Sequence, residues 1–180
     1  TEPLSPLFLE HLIASNDVRV AIMRSVDRHG FTVEKWLNER TLKQAQNKDV
    51  VVLTSAAGKR QNAAVVPDGY FHLNTGTHHY HQVLEIDLAT VTGSSKTWTT
   101  RTWGRKVLVF LEWYRTGQYH ARFHTKSMRV LCVTTGQKRL ENLLAVTQAA
   151  GGKSRFWFTT LEKIRTADVL VDPIWKVAGS

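Results

Sequence analysis

Three carboxylates, Asp68, Glu85 and Asp87, are the only formal charges in residues 61–95, a stretch without lysine or arginine. In residues 96–140 the sign inverts, with ten lysines or arginines and a single acid. A small group of acids can hold a divalent cation, and basic groups can hold a polyanion. The two segments together predict a metal-dependent enzyme that acts on a phosphate backbone.

A β-hairpin is predicted to position these acids. Residues 65–73 and 80–88 have strand patterns, and residues 74–77 between them supply the turn. Because side chains alternate along a strand, Glu85 and Asp87 share the face opposite the apolar side chains of the second strand.

The first strand must bring Asp68 to the same place. With a turn centred near residues 75–76, Asp68 lies roughly opposite Val83 and diagonal to Glu85, on the polar side of the hairpin. Three packed carboxylates repel one another, and a hard cation removes that repulsion. All three acids are therefore predicted to bind Mg²⁺ or Mn²⁺, and an ordinary solvated sheet face is the alternative.

The order of elements along the 180 residues predicts the fold class. Helices are expected at 5–29, 100–116 and 137–150, and further strands at 31–36, 50–54, 129–134 and 154–159. This order predicts a single α/β domain with a mixed central sheet flanked by helices. Residues 1–15 are expected to be the remnant of an upstream segment, and residues 165–180 a C-terminal extension.

The composition favours a nucleic acid as partner. Lysine and arginine total 24 against 15 acids, a net charge of +9, which suits a polyanion better than a membrane surface. No apolar run approaches the roughly 20 residues that a membrane span needs, so no membrane partner is expected. The single cysteine, Cys132, excludes an internal disulfide and is predicted to be a core thiol in a reducing cytoplasm.

Several stretches resemble known families. Pro67-Asp68 followed by Glu85-Ile86-Asp87 resembles the PD-(D/E)XK nuclease signature, with Asp87 in place of its lysine. More closely, the chain is similar to the replication-relaxation family of mobile-element and plasmid-borne proteins. The resembling stretches, spread over about residues 16–135, are 16–21, 36–42, 66–70, 84–87, Lys106 with Tyr114, and 128–131.

The resemblance implies a restriction-endonuclease-like fold and a metal-dependent DNA endonuclease of a plasmid or mobile element. Asp68, Glu85 and Asp87 would be catalytic and hold the ion, and Lys106, in the helix after the hairpin, would replace the signature lysine. An ordinary solvated helix lysine is the alternative for Lys106. Glu39 matches the family's Trp-x-x-Glu stretch and is a further candidate ligand, although such a residue more often pairs with a nearby arginine.

The same resemblance implies partners other than the metal ion. DNA is the expected substrate, and members of the family often carry a winged-helix segment upstream of this region. A mobile-element protein is a further expected partner. Many such nucleases act as a homodimer, but the sequence has no dedicated dimer helix.

Basic residues outside the acidic cluster are candidates for phosphate contacts. Arg101, Arg105 and Arg115 lie in the predicted helix 100–116, and Arg122 and Lys126 follow it. Contacts from these side chains would be salt-sensitive and indifferent to base sequence. A solvated basic face is the alternative.

The histidines near the turn allow two interpretations. His72 or His81, if close to the acids, could assist proton transfer. His78, His79 and His81 could instead gather with His72 around Zn²⁺ or Cu²⁺, although their spacing near a turn does not favour this.

Two other functions stay open. Asp87 at the position of the signature lysine is also compatible with a non-catalytic DNA-binding or assembly module for plasmid or transposon replication or transfer. A nuclease that acts on RNA is the third alternative. The sequence has no phosphate-cradling glycine loop and no dinucleotide fingerprint, so ATP- and NAD-dependent chemistry is not predicted.

Overall fold

One six-stranded sheet organises the protein, in a computed structural model that describes residues 5–44, 46, 48–88 and 102–179. The helices are α1 (Pro6–His29), α2 (Glu39–Leu42), α3 (Trp103–Arg115), α4 (Gln118–Phe123), α5 (Gln137–Ala149) and α6 (Leu161–Thr166). The strands are β1 (Thr32–Asn38), β2 (Asp49–Thr54), β3 (Arg60–Val65), β4 (Gly69–Asn74), β5 (His79–Asp87), β6 (Arg129–Thr134), β7 (Phe156–Thr160) and β8 (Lys176–Val177).

The sheet is mixed, with the order β1-β4-β5-β6-β7-β8. β1, β4 and β5 pair antiparallel, β5, β6 and β7 pair parallel, and β8 joins the far edge antiparallel. Because α3 connects β5 to β6 and α5 connects β6 to β7, both parallel connections are helical crossovers, as parallel pairing requires. The predicted α/β class with a mixed central sheet flanked by helices is confirmed.

Two apolar layers cover the sheet. Leu84 and Ile86 of β5 pack with α1 and α6 on one face, whereas Val83 and the buried Cys132 pack with α3 and α5 on the other. The alternation of β5 therefore sends Glu85 towards α3. Cys132 is buried, as the sequence predicted for a core thiol.

Helix α1 runs unbroken from its first turn to Gly30. Ser5 caps its start by accepting from the backbone N–H of Phe8, and Pro6 occupies the first helical position, where its missing N–H costs nothing. Gly30 ends the helix with a φ of 65°, a conformation that favours glycine. Residues 6–15, which were expected to be a remnant of another segment, form the first half of this helix.

The strand predicted at 65–73 is two strands. Val65 ends β3, and Gly69 begins β4, with Pro67 between them. Proline has no N–H to donate to a ladder, so it separates the two elements. β3 pairs with β2 in a separate two-stranded sheet, which packs against α3.

The register of the β4–β5 hairpin differs from the prediction by two residues. Tyr70 faces Val83 and Gly69 faces Leu84. The connection spans four residues, 75–78, rather than being centred at 75–76, and this moves the pairing. The ladder ends at Gly69 and Leu84, and Asp68, just before it, accepts from the backbone N–H of Ile86 on the neighbouring strand.

The predicted C-terminal extension contributes to the sheet. β8 pairs with β7 as the edge strand, and Ile174 and Ala178 are buried beside it. Within the described residues, none of the helices combines the length and the hydropathy that a bilayer crossing requires.

Candidate active site

Glu85 is the buried carboxylate at the centre of the candidate site. Its side chain is 1% exposed, and its Oε2 accepts a hydrogen bond from the amine of Lys106. Its other oxygen, Oε1, is buried and has no hydrogen-bond partner among the residues that the structure describes. Burial raises the pKa of Glu85 to about 8; the charge of Lys106 opposes this, and the charge of Asp68 adds to it.

Lys106 reaches Glu85 from the first turn of α3. Thr102 caps this helix by accepting from the N–H of Arg105, which fixes the turn that carries Lys106. The amine ends on the buried carboxylate while 41% of the side chain stays exposed. Burial lowers the pKa of Lys106, but the charges of Glu85 and Asp68 outweigh burial and raise it, so the amine is a cation at neutral pH.

Asp68 stands directly before β4 and directly after Pro67. Its Oδ2 accepts from the backbone N–H of Ile86 at 2.7 Å and lies 3.3 Å from Nε2 of His11. Burial acts to raise the pKa of Asp68, but the hydrogen bond from His11 and the charges of Lys106 and His11 lower it below its ordinary value. Asp68 is therefore an anion in a site that is largely closed to water.

His11 and Glu39 complete the group. One ligand atom from each of His11, Glu39 and Asp68 lies within 4.8 Å of the others. The hydrogen bond to Asp68 raises the pKa of His11, burial opposes this, and the charges of Asp68 and Glu39 add to the increase. Glu39 also pairs with Lys43, the residue that caps the end of α2.

His11 was not found from the sequence, although one signal pointed to it. Ala14, Val18 and Ile22 form the buried stripe of α1. His11 continues this stripe towards the start of the helix at a spacing of three residues. A polar side chain on a buried helical stripe needs a partner, and here the partner is Asp68.

The donor set of this cluster suits a hard divalent cation. Asp68 and Glu39, whose ligand atoms lie within 4.8 Å of each other and of His11, supply carboxylate oxygens, the ligands that Mg²⁺ and Mn²⁺ prefer. Glu85 is not part of that group of three. The buried Oε1 of Glu85 lacks a partner among the described residues, which is costly for a carboxylate unless a cation or a proton meets it. The residues present therefore fit such an ion.

Asp87 lies apart from this group in its contacts. Its oxygens accept from Nε and Nη2 of Arg139, both at 2.9 Å, and Oγ1 of Thr134 lies 3.4 Å from Oδ1. The side chains of Asp87 and Arg139 are 15% and 16% exposed. The structure brings Asp68, Glu85 and Lys106 together, and it holds Asp87 in an ion pair with α5.

The predicted phosphate-binding residues have different environments. Arg115 forms a two-bond pair with Glu112 and is 73% exposed. Arg122 forms a two-bond pair with Asp49 and is 19% exposed, so it ties α4 to β2.

Lys126 and Arg105, two other predicted phosphate contacts, differ in exposure. Lys126 is exposed in the loop before β6. Arg105 is half-buried, and its Nε has no hydrogen-bond partner within the described ranges. Arg101 lies outside the described residues.

His72 and His81 face each other across the hairpin, four residues along each strand from the acids. That spacing is roughly 13 Å, too far for direct proton transfer at Asp68 or Glu85. Nδ1 of His81 instead lies 2.6 Å from the hydroxyl of Tyr70. Burial and the charges of the neighbouring histidines lower the pKa of His81 to about 4.

The replication-relaxation family matches residues 3–127, well over half of the chain. No curated protein and no solved structure matches the chain. The matched residues include Asp68, Glu85 and Lys106 together with His11 and Glu39, and the chain belongs to the replication-relaxation family.

Proposed function

We propose that this protein is a divalent-metal-dependent nuclease that hydrolyses phosphodiester bonds in DNA, in the plasmid or mobile-element replication or transfer that its family indicates. The observation that carries the proposal is the convergence of Asp68, Glu85 and Lys106 on one buried position. The amine of Lys106 in α3 bonds to Glu85 in β5, and the charge of Asp68, just before β4, acts on both side chains. A structural ion pair needs only one acid, and it leaves no buried carboxylate oxygen unpaired.

Asp68 and Glu85 would hold Mg²⁺ or Mn²⁺, with Glu39 as a further ligand. When bound, such an ion supplies a Lewis acid for the phosphate and lowers the pKa of a coordinated water. Asp68 is already an anion in the folded protein, and burial keeps bulk water from screening its charge. Glu85 offers Oε1 without breaking its hydrogen bond to Lys106.

Lys106 would act on the reacting phosphate. An ammonium has three N–H donors, and Glu85 takes one of them. The other donors can stabilise the negative charge that develops on a phosphate oxygen during hydrolysis. The exposed part of the side chain gives the amine a route to substrate at the surface.

The relation to restriction-endonuclease-like proteins is part of the same proposal. It is supported by Pro67-Asp68, by Glu85 in β5, and by a lysine supplied from the helix that follows. Asp87 stands where the PD-(D/E)XK signature has lysine, and its pairing with Arg139 leaves it outside the proposed ligand set.

DNA is the proposed substrate because of the charge of the chain. The excess of 24 basic over 15 acidic residues favours a polyanion, and Lys126 and Arg115 are exposed for phosphate contacts. Such contacts carry no base specificity, so they predict binding to many DNA sequences.

The test is cleavage of supercoiled and linear DNA, and of RNA, by untagged protein with Mg²⁺ or Mn²⁺. We expect wild type to cut DNA only with the ion, and Asp68→Asn and Glu85→Gln to be at least about 100-fold slower. Glu141→Gln, which changes an exposed acid on α5, is the matched control and should cut like wild type. Equal rates for wild type and Asp68→Asn would overturn the proposal, because a contaminating nuclease would then account for the cutting.

A second candidate function is a non-catalytic DNA-binding or assembly module. The observation that favours it is that Lys106 already neutralises Glu85, as a structural ion pair would. This alternative predicts salt-dependent DNA binding that survives removal of Asp68 and Glu85. Calorimetric titration with Mn²⁺ separates the two functions, since only the nuclease requires ion binding that Glu85→Gln weakens.

A further inference from the structure

A second group of metal-binding side chains lies at the turn end of the β4–β5 hairpin. Glu34 of β1, His72 of β4 and His79 of β5 each place one ligand atom within 4.8 Å of the others. Nδ1 of His72 is 3.1 Å from Oε2 of Glu34, and Nε2 of His72 is 2.8 Å from Nδ1 of His79. Three neighbouring strands therefore each bring one donor atom to within 4.8 Å of the other two.

A β-bulge lies at Glu34. The pairing of β1 with β4 shifts between Val33 and Lys35, so Glu34 is the extra residue on its strand. Glu34 and Lys35 together therefore lie opposite His72.

Neighbouring groups hold the donors in place. Nδ2 of Asn74 donates to Oε1 of Glu34 at 2.6 Å, and the ring of His81 stacks on His72 with centroids 4.1 Å apart. The hydroxyl of Tyr70 in turn lies 2.6 Å from Nδ1 of His81. Such supporting contacts orient the ligands of metal sites.

The exposure of the three donors lets an ion reach them from solvent. Glu34 and His79 are 37% and 55% exposed, and His72 is 18% exposed. Glu34 and His79 are thus accessible to solvent, whereas the ring of His72 is held by packing against His81.

We propose that Glu34, His72 and His79 form a binding site for a borderline transition-metal ion, with Zn²⁺ as the expected occupant. Two imidazoles and one carboxylate are a common protein ligand set for Zn²⁺, with a fourth position left for water, whereas Mg²⁺ prefers oxygen ligands alone. The ion would replace the hydrogen bond between the two rings and cross-link β1, β4 and β5. His72 is four residues from Asp68 and His79 is six residues from Glu85, roughly 13 and 20 Å along the strands, so the site is separate from the proposed nuclease centre.

The test is a calorimetric Zn²⁺ titration of untagged protein, followed by thermal unfolding with and without the ion. We expect one Zn²⁺ per chain with a Kd of about 10 μM or tighter. Glu34→Gln and His79→Gln alter the two most exposed ligands, so both should fold and bind at least about tenfold more weakly. His120→Gln, which alters an exposed histidine on α4, is the matched control and should bind like wild type.

Two outcomes decide the proposal. Loss of affinity in Glu34→Gln and His79→Gln but not in Glu85→Gln supports a site independent of the acidic cluster. Unchanged affinity in both Glu34→Gln and His79→Gln overturns it, and so does binding that disappears only in Glu85→Gln. Circular dichroism of each variant shows that a loss of binding is not a loss of fold.

Discussion

The amine of Lys106 donates a hydrogen bond to one oxygen of Glu85, and the other oxygen of that buried carboxylate has no hydrogen-bond partner among the described residues. An ion pair that served stability alone would be expected to satisfy both oxygens, because an unpaired buried polar atom is costly. The charge of Asp68, just before β4, acts on the same carboxyl and raises its pKa. Oε1 of Glu85 is therefore available to a further group, and under the proposed function that group is a divalent cation.

Lys106→Met should nearly abolish DNA cleavage. Burial already raises the pKa of Glu85 to about 8, and without the amine it rises further, so an ion must displace a more tightly held proton from this carboxyl. We therefore expect cleavage at pH 7.5 to fall at least about 100-fold and Mn²⁺ to bind more weakly. Rates from a plasmid-nicking assay and titration calorimetry check this. Lys138→Met, on the exposed face of α5, should leave both unchanged, and retention of wild-type cleavage by Lys106→Met would contradict the assigned role.

His11→Gln should make metal binding less dependent on pH. The hydrogen bond to Asp68 raises the pKa of His11 above its ordinary value of 6.5. At pH 6 the imidazolium therefore occupies Oδ2 of Asp68, an oxygen that would otherwise bind the ion. In wild type, Mn²⁺ affinity should increase as the pH rises from 6 to 8. In His11→Gln it should be at least about threefold tighter than wild type at pH 6, since a competing charge is gone. Identical pH profiles for the two proteins would show that His11 does not compete with the ion.

Removing His11 also has a predicted effect on the stability of the metal-free protein. A histidine whose pKa is raised by folding stabilises the fold fully below its unfolded pKa, and this contribution is lost as the pH rises through the folded value. His11→Gln should therefore lower the free energy of unfolding at pH 5.5 more than at pH 8.5. His120→Gln is the control for both measurements.

Asp87→Asn should reduce stability and leave metal binding intact. Both oxygens of Asp87 accept from Arg139, and an amide cannot replace the charge in those two bonds. We expect the free energy of unfolding to fall by about 1–2 kcal/mol and the Mn²⁺ affinity to stay within about twofold of wild type. Urea unfolding and titration calorimetry measure the two effects. Arg139→Gln should lower the free energy of unfolding by a similar amount. If Asp87→Asn abolishes Mn²⁺ binding while Arg139→Gln does not, Asp87 is a ligand as its sequence position indicated.

Much of this site followed from alternation in the sequence, and the rest depended on the turn. The polar face of the hairpin could be predicted because Leu84 and Ile86 fix the buried face of β5. The pairing register of β4 and β5 could not be predicted, because the same turn residues are compatible with a four-residue connection and with a shorter one. The difference of two residues keeps every side chain on its predicted face.

Contacts between elements distant in sequence could not be predicted. His11 meets Asp68 because α1 packs against the sheet next to β4, and local periodicity contains no such information. Arg122 is a similar case. It was predicted to contact phosphate, yet its guanidinium pairs with Asp49, 73 residues away. Sequence reasoning identifies charged side chains but not which of them are already neutralised.

Arg122 and Lys126 should therefore respond differently to substitution. Arg122→Ala removes two hydrogen bonds from Asp49, which also accepts from the indole N–H of Trp113, and should cost about 2 kcal/mol of unfolding free energy. Lys126→Ala should leave stability unchanged. It should instead weaken DNA binding and lower the slope of log K against log salt by about 1, as expected for one lost phosphate contact. Equal salt slopes for wild type and Lys126→Ala, measured by fluorescence anisotropy, would remove Lys126 from the DNA surface.

Asp168 should make stability fall steeply in acid. Its carboxylate accepts from the hydroxyl of Ser25 and lies 2.8 and 2.9 Å from Arg28 and His29, so it ties the end of α1 to the segment after α6. The hydrogen bond from Ser25 and the weaker ones from His29 and Arg28 outweigh burial and hold the pKa of Asp168 well below its ordinary value of 3.8. A carboxyl group whose pKa is lowered by folding stabilises the fold above its unfolded pKa. That contribution is lost as the pH falls towards the folded value.

Asp168→Asn should accordingly lower the unfolding free energy by about 2 kcal/mol at pH 7 and reduce its loss between pH 5 and pH 3. Urea unfolding at several pH values measures both effects. Asp27→Asn, an exposed acid on the same helix, should keep the wild-type profile. A variant that loses stability at pH 7 but keeps the full acid dependence would mean that the contacts of Asp168 matter for packing and that its charge does not, since only the charged form accepts all of these bonds.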